Sequence, residues 1–195
     1  MNTPQSPSRR AVLSASVLLP VAASSLAASA TPGGSGKTLV AYFSRTGNTR
    51  VMASQIQRAR GADLFEIKPA APYPEDYEQT VAQARRERDS GFEPALQAKV
   101  VNMADYATVF LGFPIWGETA PPVIRSFLSS HDLAGKTLIP FITHGGYGLG
   151  SSLAVLAAHA PRARLLDASL SMEADQERRT LTRVTEWLQR VPRTR

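Results

Sequence analysis

Three short segments hold residues whose types and spacing suit them to chemistry: Ser44-Arg45-Thr46-Gly47-Asn48-Thr49, Pro114-Ile115-Trp116-Gly117 and Thr143-His144-Gly145-Gly146-Tyr147-Gly148. The first lies between an apolar run, Leu39 to Phe43, and a stretch in which Val51, Met52 and Ile56 take helical spacing. A loop entering a helix meets backbone N–H groups that have no partner within the helix, and the helix dipole adds partial positive charge. A phosphate is held there without a metal or a lysine. Ser44, Thr46 and Thr49 bring hydroxyls and Gly47 lets the chain approach closely. The plainer alternative is that Thr46 or Asn48 simply caps the helix. The other two segments set Trp116 and Tyr147 among glycines or prolines, so the three together describe a slot for a flat aromatic ring tethered to a phosphate. Packing beneath the loops is the alternative for both aromatics. His144 is the one candidate for a catalytic role, by hydrogen bonding to a ligand or relaying a proton; otherwise it braces its loop.

Composition narrows the remaining chemistry. With no cysteine, thiolate nucleophiles, thiolate metal sites and disulfides are excluded, and no His and carboxylate cluster suggests a metal. His131 and His159 fall near predicted helix ends, where a dipole role suffices. The formal charge of +6 becomes +4 if a leader carrying Arg9 and Arg10 is removed. Because the arginines are scattered over predicted helices and form no stripe, nucleic acid is not an expected partner.

The elements that must position these segments follow from hydrophobic patterning. A chain of 195 residues with 43% hydrophobic content suits one domain, and no internal repeat is present. Residues 1–30 read as a signal peptide outside the fold: Ser8-Arg9-Arg10 opens a weakly apolar tract interrupted by Pro20, and Ala28-Ser29-Ala30 fits a small-x-small cleavage site. That pattern resembles a twin-arginine export signal, which carries folded cargo to the periplasm or another extracytoplasmic compartment. No stable membrane span is expected after cleavage. Residues 31–37 form a flexible Gly and Ser linker, and the folded domain is expected over 38–191.

Within that domain the apolar run before Ser44 is a strand buried on both faces. Ala62 to Ile67 alternates and reads as an edge strand. Asp76 to Asp89 reads as a charged helix with Tyr77, Val81 and Ala84 inward and Arg85, Arg86 and Arg88 in solvent. Val109 to Phe113 and Leu138 to Ile142 are further buried strands, and Pro140 predicts a bulge in the latter. Pro121 and Pro122 open a helix with Val123, Ile124, Phe127 and Leu128 inward, and another helix begins near Ser151. Leu165 to Leu170 holds a weak last strand, and the final helix is expected to bury Leu181, Val184, Leu188 and Val191. Strand, loop and helix recurring five times demand an α/β fold, with a parallel sheet and helices on both faces. Ligands in such sheets bind beyond the carboxyl ends of the strands, so the three segments are expected on one rim.

The three segments, as spelled above, resemble those of flavodoxin-like FMN proteins, and the similarity extends over nearly all of residues 38 to 190. The resemblance implies a flavodoxin-like, doubly wound five-stranded parallel sheet of order 2-1-3-4-5. It places FMN phosphate on the loop of Ser44, Arg45, Thr46, Gly47, Asn48 and Thr49. The isoalloxazine ring is placed between Pro114, Ile115, Trp116 and Gly117 on one side and Thr143, His144, Gly145, Gly146, Tyr147 and Gly148 on the other. Stacking on Trp116 or Tyr147 would favour the neutral oxidised ring over the electron-rich reduced anion. Two features depart from the family pattern: Glu118 stands where many relatives carry a second tryptophan, and the chain is basic where carriers are acidic.

Three functions fit these residues. The first is an exported FMN electron-transfer protein serving a redox partner protein. An FMN-dependent NAD(P)H:quinone-type reductase, with a small quinone-like acceptor, is the second. A cofactor-free binding module on the same fold is the third.

Overall fold

The structure, a computed structural model, describes residues 36–193 except 147, 167–168 and 174–176. The proposed leader, most of the linker and Tyr147 therefore lie outside the described residues. In chain order the elements are β1 (Lys37–Tyr42), α1 (Asn48–Arg60), β2 (Asp63–Glu66), α2 (Tyr77–Ser90), β3 (Tyr106–Pro114), α3 (Pro122–Ser130), β4 (Thr137–His144), α4 (Ser152–His159), β5 (Arg164–Leu165), β6 (Leu170–Glu173) and α5 (Glu177–Arg190). All named strand pairs are parallel, and the order is β2-β1-β3-β4-β5 with β6 also on β4. The order 2-1-3-4-5 is thus as expected, with one strand more than five.

Alternation along the central strands divides the core between the two faces of the sheet. Val40, Tyr42, Phe110, Ile139 and Phe141 pack with Met52, Ala53 and Ile56 of α1 and with Val184, Trp187 and Leu188 of α5. Leu39, Ala41, Val109, Leu111, Leu138 and Ile142 pack with α3, through Val123, Ile124, Phe127 and Leu128, and with Leu156 of α4. Each fully buried Val, Leu, Ile, Phe or Met among them contributes about 1.5–3 kcal/mol. Gly112 is required where it stands, because a Cβ there would meet the Phe141 ring of the neighbouring strand.

Five expectations change on contact with the tertiary structure. Pro140 causes no bulge: β3 and β4 pair in continuous register through Leu111 and Pro140. Leu138 gives its carbonyl to the Leu166 N–H, so Pro140, two residues on, faces the same side. There it meets the gap after β5 ends its pairing at Leu138 and before β6 begins at Phe141, so no ladder partner needs its missing N–H. The weak last strand is split by that same gap into β5 and β6.

In α2, Tyr77 is 59% exposed, whereas Thr80, Ala84 and Glu87 are buried. Glu87 is tolerated inside because its carboxylate accepts from the Tyr73 hydroxyl at 2.7 Å and from Gln83 Nε2 at 2.8 Å. Arg88 is half-buried and not fully solvated. In α5, Leu181 is 50% exposed and Trp187 is buried in its place, so the inward stripe is Val184, Trp187, Leu188 and Val191. Asp76 caps α2 by accepting from Gln79 N at 2.9 Å, and Gly91 closes it in the left-handed region at φ 68°.

Candidate functional site

Because β1, β3 and β4 are adjacent and parallel, the loops leaving their carboxyl ends share one rim. Hydrogen bonds tie those loops together directly. Phe43 N donates to Gly112 O at 2.8 Å, and Ile115 N to Thr143 O at 2.8 Å. Thr49 Oγ1 and Thr143 Oγ1 stand 2.9 Å apart, both buried. Between the second and third loops, Ser151 N donates to Glu118 O at 2.9 Å and Ser151 Oγ to Thr119 Oγ1 at 2.9 Å. The three segments singled out by their chemistry are therefore one continuous edge, Tyr147 aside.

At the first loop, Gly47 enters α1 at φ 100°, a left-handed conformation that suits glycine, and no side chain caps the helix. Neither Thr46 nor Asn48 takes the capping role that was the plainer alternative. The first turn of α1 also holds no acidic residue, so its dipole and its leading N–H groups face no competing carboxylate from the helix itself. Ser44 Oγ is occupied in accepting from Gly47 N at 3.1 Å, and Thr49 Oγ1 is the strut to Thr143. That leaves Thr46 as the exposed hydroxyl of the loop. An anion held here would be met by backbone N–H groups first and by Thr46 second. The loop thus fits a phosphate by the standard of its free donors.

Arg45 points along the outside of this loop. Its guanidinium donates from Nη1 to Glu75 O at 3.2 Å and lies 5.6 Å above the Tyr77 ring.

The second loop turns sharply at Gly117 and Glu118, with φ 55° and 64°, between the bridged residues Trp116 and Thr119. Arg88 Nη1 donates to Gly117 O at 3.2 Å. Trp116 is 8% exposed, and its ring meets Phe43 at 5.2 Å and Tyr73 at 4.8 Å, both in T-shaped contact. Burial, together with the Glu87 carboxylate, pushes the Tyr73 hydroxyl far above its ordinary range, so it stays a donor. Trp116 is thereby the anchor under its loop, while Pro114 and Ile115 are half-buried and Gly117 is exposed beside it.

His144, at the end of β4, has both ring nitrogens engaged. Gly146 N donates to Nδ1 at 3.0 Å, which makes Nδ1 the acceptor and leaves Nε2 to donate to Ser171 Oγ at 2.7 Å. The histidine braces the third loop against β6. Gly145 and Gly146 are exposed beyond it, and Gly148 is half-buried.

Sequence reasoning missed Thr143 as a partner of Thr49, the Tyr73–Trp116–Phe43 cluster and the Ser171 contact. No local signal reports any of them, since each joins residues far apart in the chain. His131 caps α3 and binds across the fold as well: Nδ1 lies 2.8 Å from Phe127 O, and Nε2 accepts from Val100 N at 3.0 Å. No group of three or more potential metal ligands exists among the described residues. No helix among them is long and apolar enough to cross a membrane.

A family model described as Flavodoxin matches residues 37–191. The chain belongs to the flavodoxin family. Among solved structures, this flavodoxin is 34% identical to a candidate flavoprotein from Bacteroides eggerthii, with 80% of this chain and 98% of that one covered at a TM-score of 0.66. A candidate flavoprotein from Bacteroides uniformis is also 34% identical, over 79% and 98%, at 0.68. The Lactobacillus acidophilus flavoprotein, solved in complex with FMN, shares the fold at 20% identity over 75% and 99%, with a TM-score of 0.62. No curated protein matches the chain.

Proposed function

We propose that this flavodoxin binds FMN on the rim formed by the loops after β1, β3 and β4 and works as an electron-transfer protein. One observation carries the reading: an uncapped helix N-terminus stands beside two loops bonded to it and to each other. A phosphate would take the backbone donors of Asn48 and Thr49 and the Thr46 hydroxyl, beside a Gly47 N–H that Ser44 Oγ already holds, and the flavin ring would lie against Pro114 to Gly117 and Thr143 to Gly148. When bound, FMN supplies the redox chemistry. The chain's own residues orient it and limit its exposure to water: Thr49 and Thr143 fix the loop spacing, Trp116 holds the second loop down and His144 holds the third. The family and the FMN complex of the Lactobacillus relative support the cofactor.

Export in folded form is the second part of the reading, and it rests on Ser8-Arg9-Arg10 and the Ala28-Ser29-Ala30 site. A cofactor acquired in the cytoplasm gives a reason to cross a membrane already folded. The basic surface points to an acidic redox partner, since attraction of opposite charge speeds encounter.

The test is an FMN titration of cofactor-free protein followed by flavin fluorescence, together with the absorption spectrum of protein taken from the cytoplasm. Saturable quenching and a yellow protein are expected. A colourless chain that ignores added FMN would make it a binding module, and steady NAD(P)H oxidation with a quinone would make it a reductase instead.

A further inference from the structure

At the opposite end of the sheet, α1 and α5 finish over the first residues of β1 and β3. A cavity of about 150 Å³ lies there, lined by Thr38, Arg60, Thr108, Phe110 and Arg193 among others. It adjoins a groove of about 590 Å³ walled by Leu188 and Val191, and both spaces share Arg60 and Arg193. At roughly 30 Å³ per water, the inner cavity has the volume of about five waters, enough for one small polyatomic ion.

Arg60 is held rigidly. Its Nη2 donates to Leu188 O at 2.7 Å and Val191 O at 2.9 Å, and its guanidinium lies 5.9 Å over the Phe110 ring. Its Nε is buried with no hydrogen-bond partner. Among the described residues, neither Arg60 nor Arg193 enters a salt bridge, whereas Arg50, Arg85, Arg88 and Arg162 each pair with a carboxylate. Burial, and then the Arg193 charge, lower the pKa of Arg60, so the guanidinium sits in a setting that does not neutralise it. Among the described residues, two helix C-termini of about half a negative charge each, set against two guanidiniums, leave about one positive charge uncompensated.

We propose that this cavity binds a small oxyanion, a carboxylate or a phosphate group, between Arg60 and Arg193. Both Nη2 hydrogens of Arg60 are committed to carbonyls, so Arg60 supplies charge while the planar fork of Arg193 suits two oxygens of such a group, and one negative charge balances the excess. Thr38 and Thr108 are ladder partners, so they stand side by side on the same wall and add hydroxyl-bearing neighbours. The site is at the far end of the strands from the FMN rim and stands whether or not FMN binds.

The experiment uses the full chain saturated with FMN, which fills the phosphate loop, at ionic strength held constant with sodium chloride. Inorganic phosphate and, in a separate arm, acetate are titrated while backbone amides are followed by NMR. Saturable shifts at Thr38, Arg60 and Thr108 in either arm are expected, and the arm with the tighter fit names the oxyanion. Because Arg60 also caps α5, the exposed Arg193→Ala is the leading variant, with Thr38→Val as the second. Arg193→Ala is expected to weaken anion affinity at least tenfold and to leave FMN affinity unchanged. Shifts confined to Thr46 to Thr49, shifts that rise without saturating, or equal affinity in Arg193→Ala would each overturn the site. If FMN does not bind at all, the same residue-by-residue shifts still separate this cavity from the phosphate loop.

Discussion

Thr49 Oγ1 and Thr143 Oγ1, 94 residues apart in the chain, meet at 2.9 Å in the interior. One lies in the first turn of α1 and the other is the penultimate residue of β4, so the bond ties the first loop of the rim to the third. Replacing either threonine by valine leaves its buried partner unsatisfied and should destabilise the fold by about 1–3 kcal/mol. Replacing both removes the need along with the bond, so the double variant should lose less than the sum of the singles. Urea denaturation of all four proteins measures the difference.

Thr46 makes the complementary case. Its hydroxyl is exposed and serves no internal bond, so Thr46→Ala should leave stability within about 0.5 kcal/mol. If it meets the FMN phosphate, affinity should fall by about 1.5–3 kcal/mol, the range for bonds to a charged group. Adding Thr49→Ala should weaken binding further and also lower stability. Fluorescence titration and denaturation, run on the same samples, separate the two effects.

Glu118 holds a positive φ of 64°, unusual for a residue other than glycine. Glu118→Gly relieves about 1–2 kcal/mol of left-handed strain and forfeits about 0.5–1 kcal/mol in unfolded-chain freedom. A net gain of about 0.5–1 kcal/mol in stability is expected. Gly150→Ala should do the reverse, since its Cβ would land on the Glu118 carbonyl and push the second and third loops apart. A loss of about 1–3 kcal/mol, seen as a lower thermal midpoint, is the expected result.

His131 should make the fold sensitive to mild acid. Burial lowers its pKa below the ordinary value of about 6.5, against a raising effect of the Phe127 carbonyl, and Lys99 lowers it further. The unfolded chain therefore binds the proton more readily than the folded one. Stability from this group is complete above pH 6.5 and falls as the pH drops through the lower folded value. Protonation also removes the acceptor for Val100 N–H. His131→Gln should be less stable at pH 7 yet show a shallower decline between pH 7 and pH 5, read from denaturation midpoints.

His144→Ala tests the brace. With neither Gly146 N–H nor Ser171 Oγ held, the third loop should loosen, and FMN affinity should fall about as much as in Ser171→Ala combined with loss of one further bond. If His144 instead acted on a substrate, turnover would collapse while FMN affinity stayed at the level of the parent protein. Equilibrium titration beside a redox assay distinguishes these outcomes.

The sequence alone determined the parallel sheet, the strand order carried by the family resemblance and the place of the three loops on one rim. The sheet and the rim follow from local patterning, since buried strands read as apolar runs, helices as stripes, and parallel connections force like ends together, whereas the order is what the resemblance implies. The uncapped entry to α1 was legible only as an open choice between phosphate and cap. What the tertiary structure decided was which groups are spoken for. Thr49, Ser44 and His144 each look free in the sequence and each has a partner in space, while Trp116 is an anchor because Phe43 and Tyr73 arrive from other strands and loops. Pro140 breaks nothing because β5 stops just short of it and β6 starts just after. A side chain's partners depend on contacts between distant segments, and periodicity, which is a property of neighbours along the chain, carries no record of them.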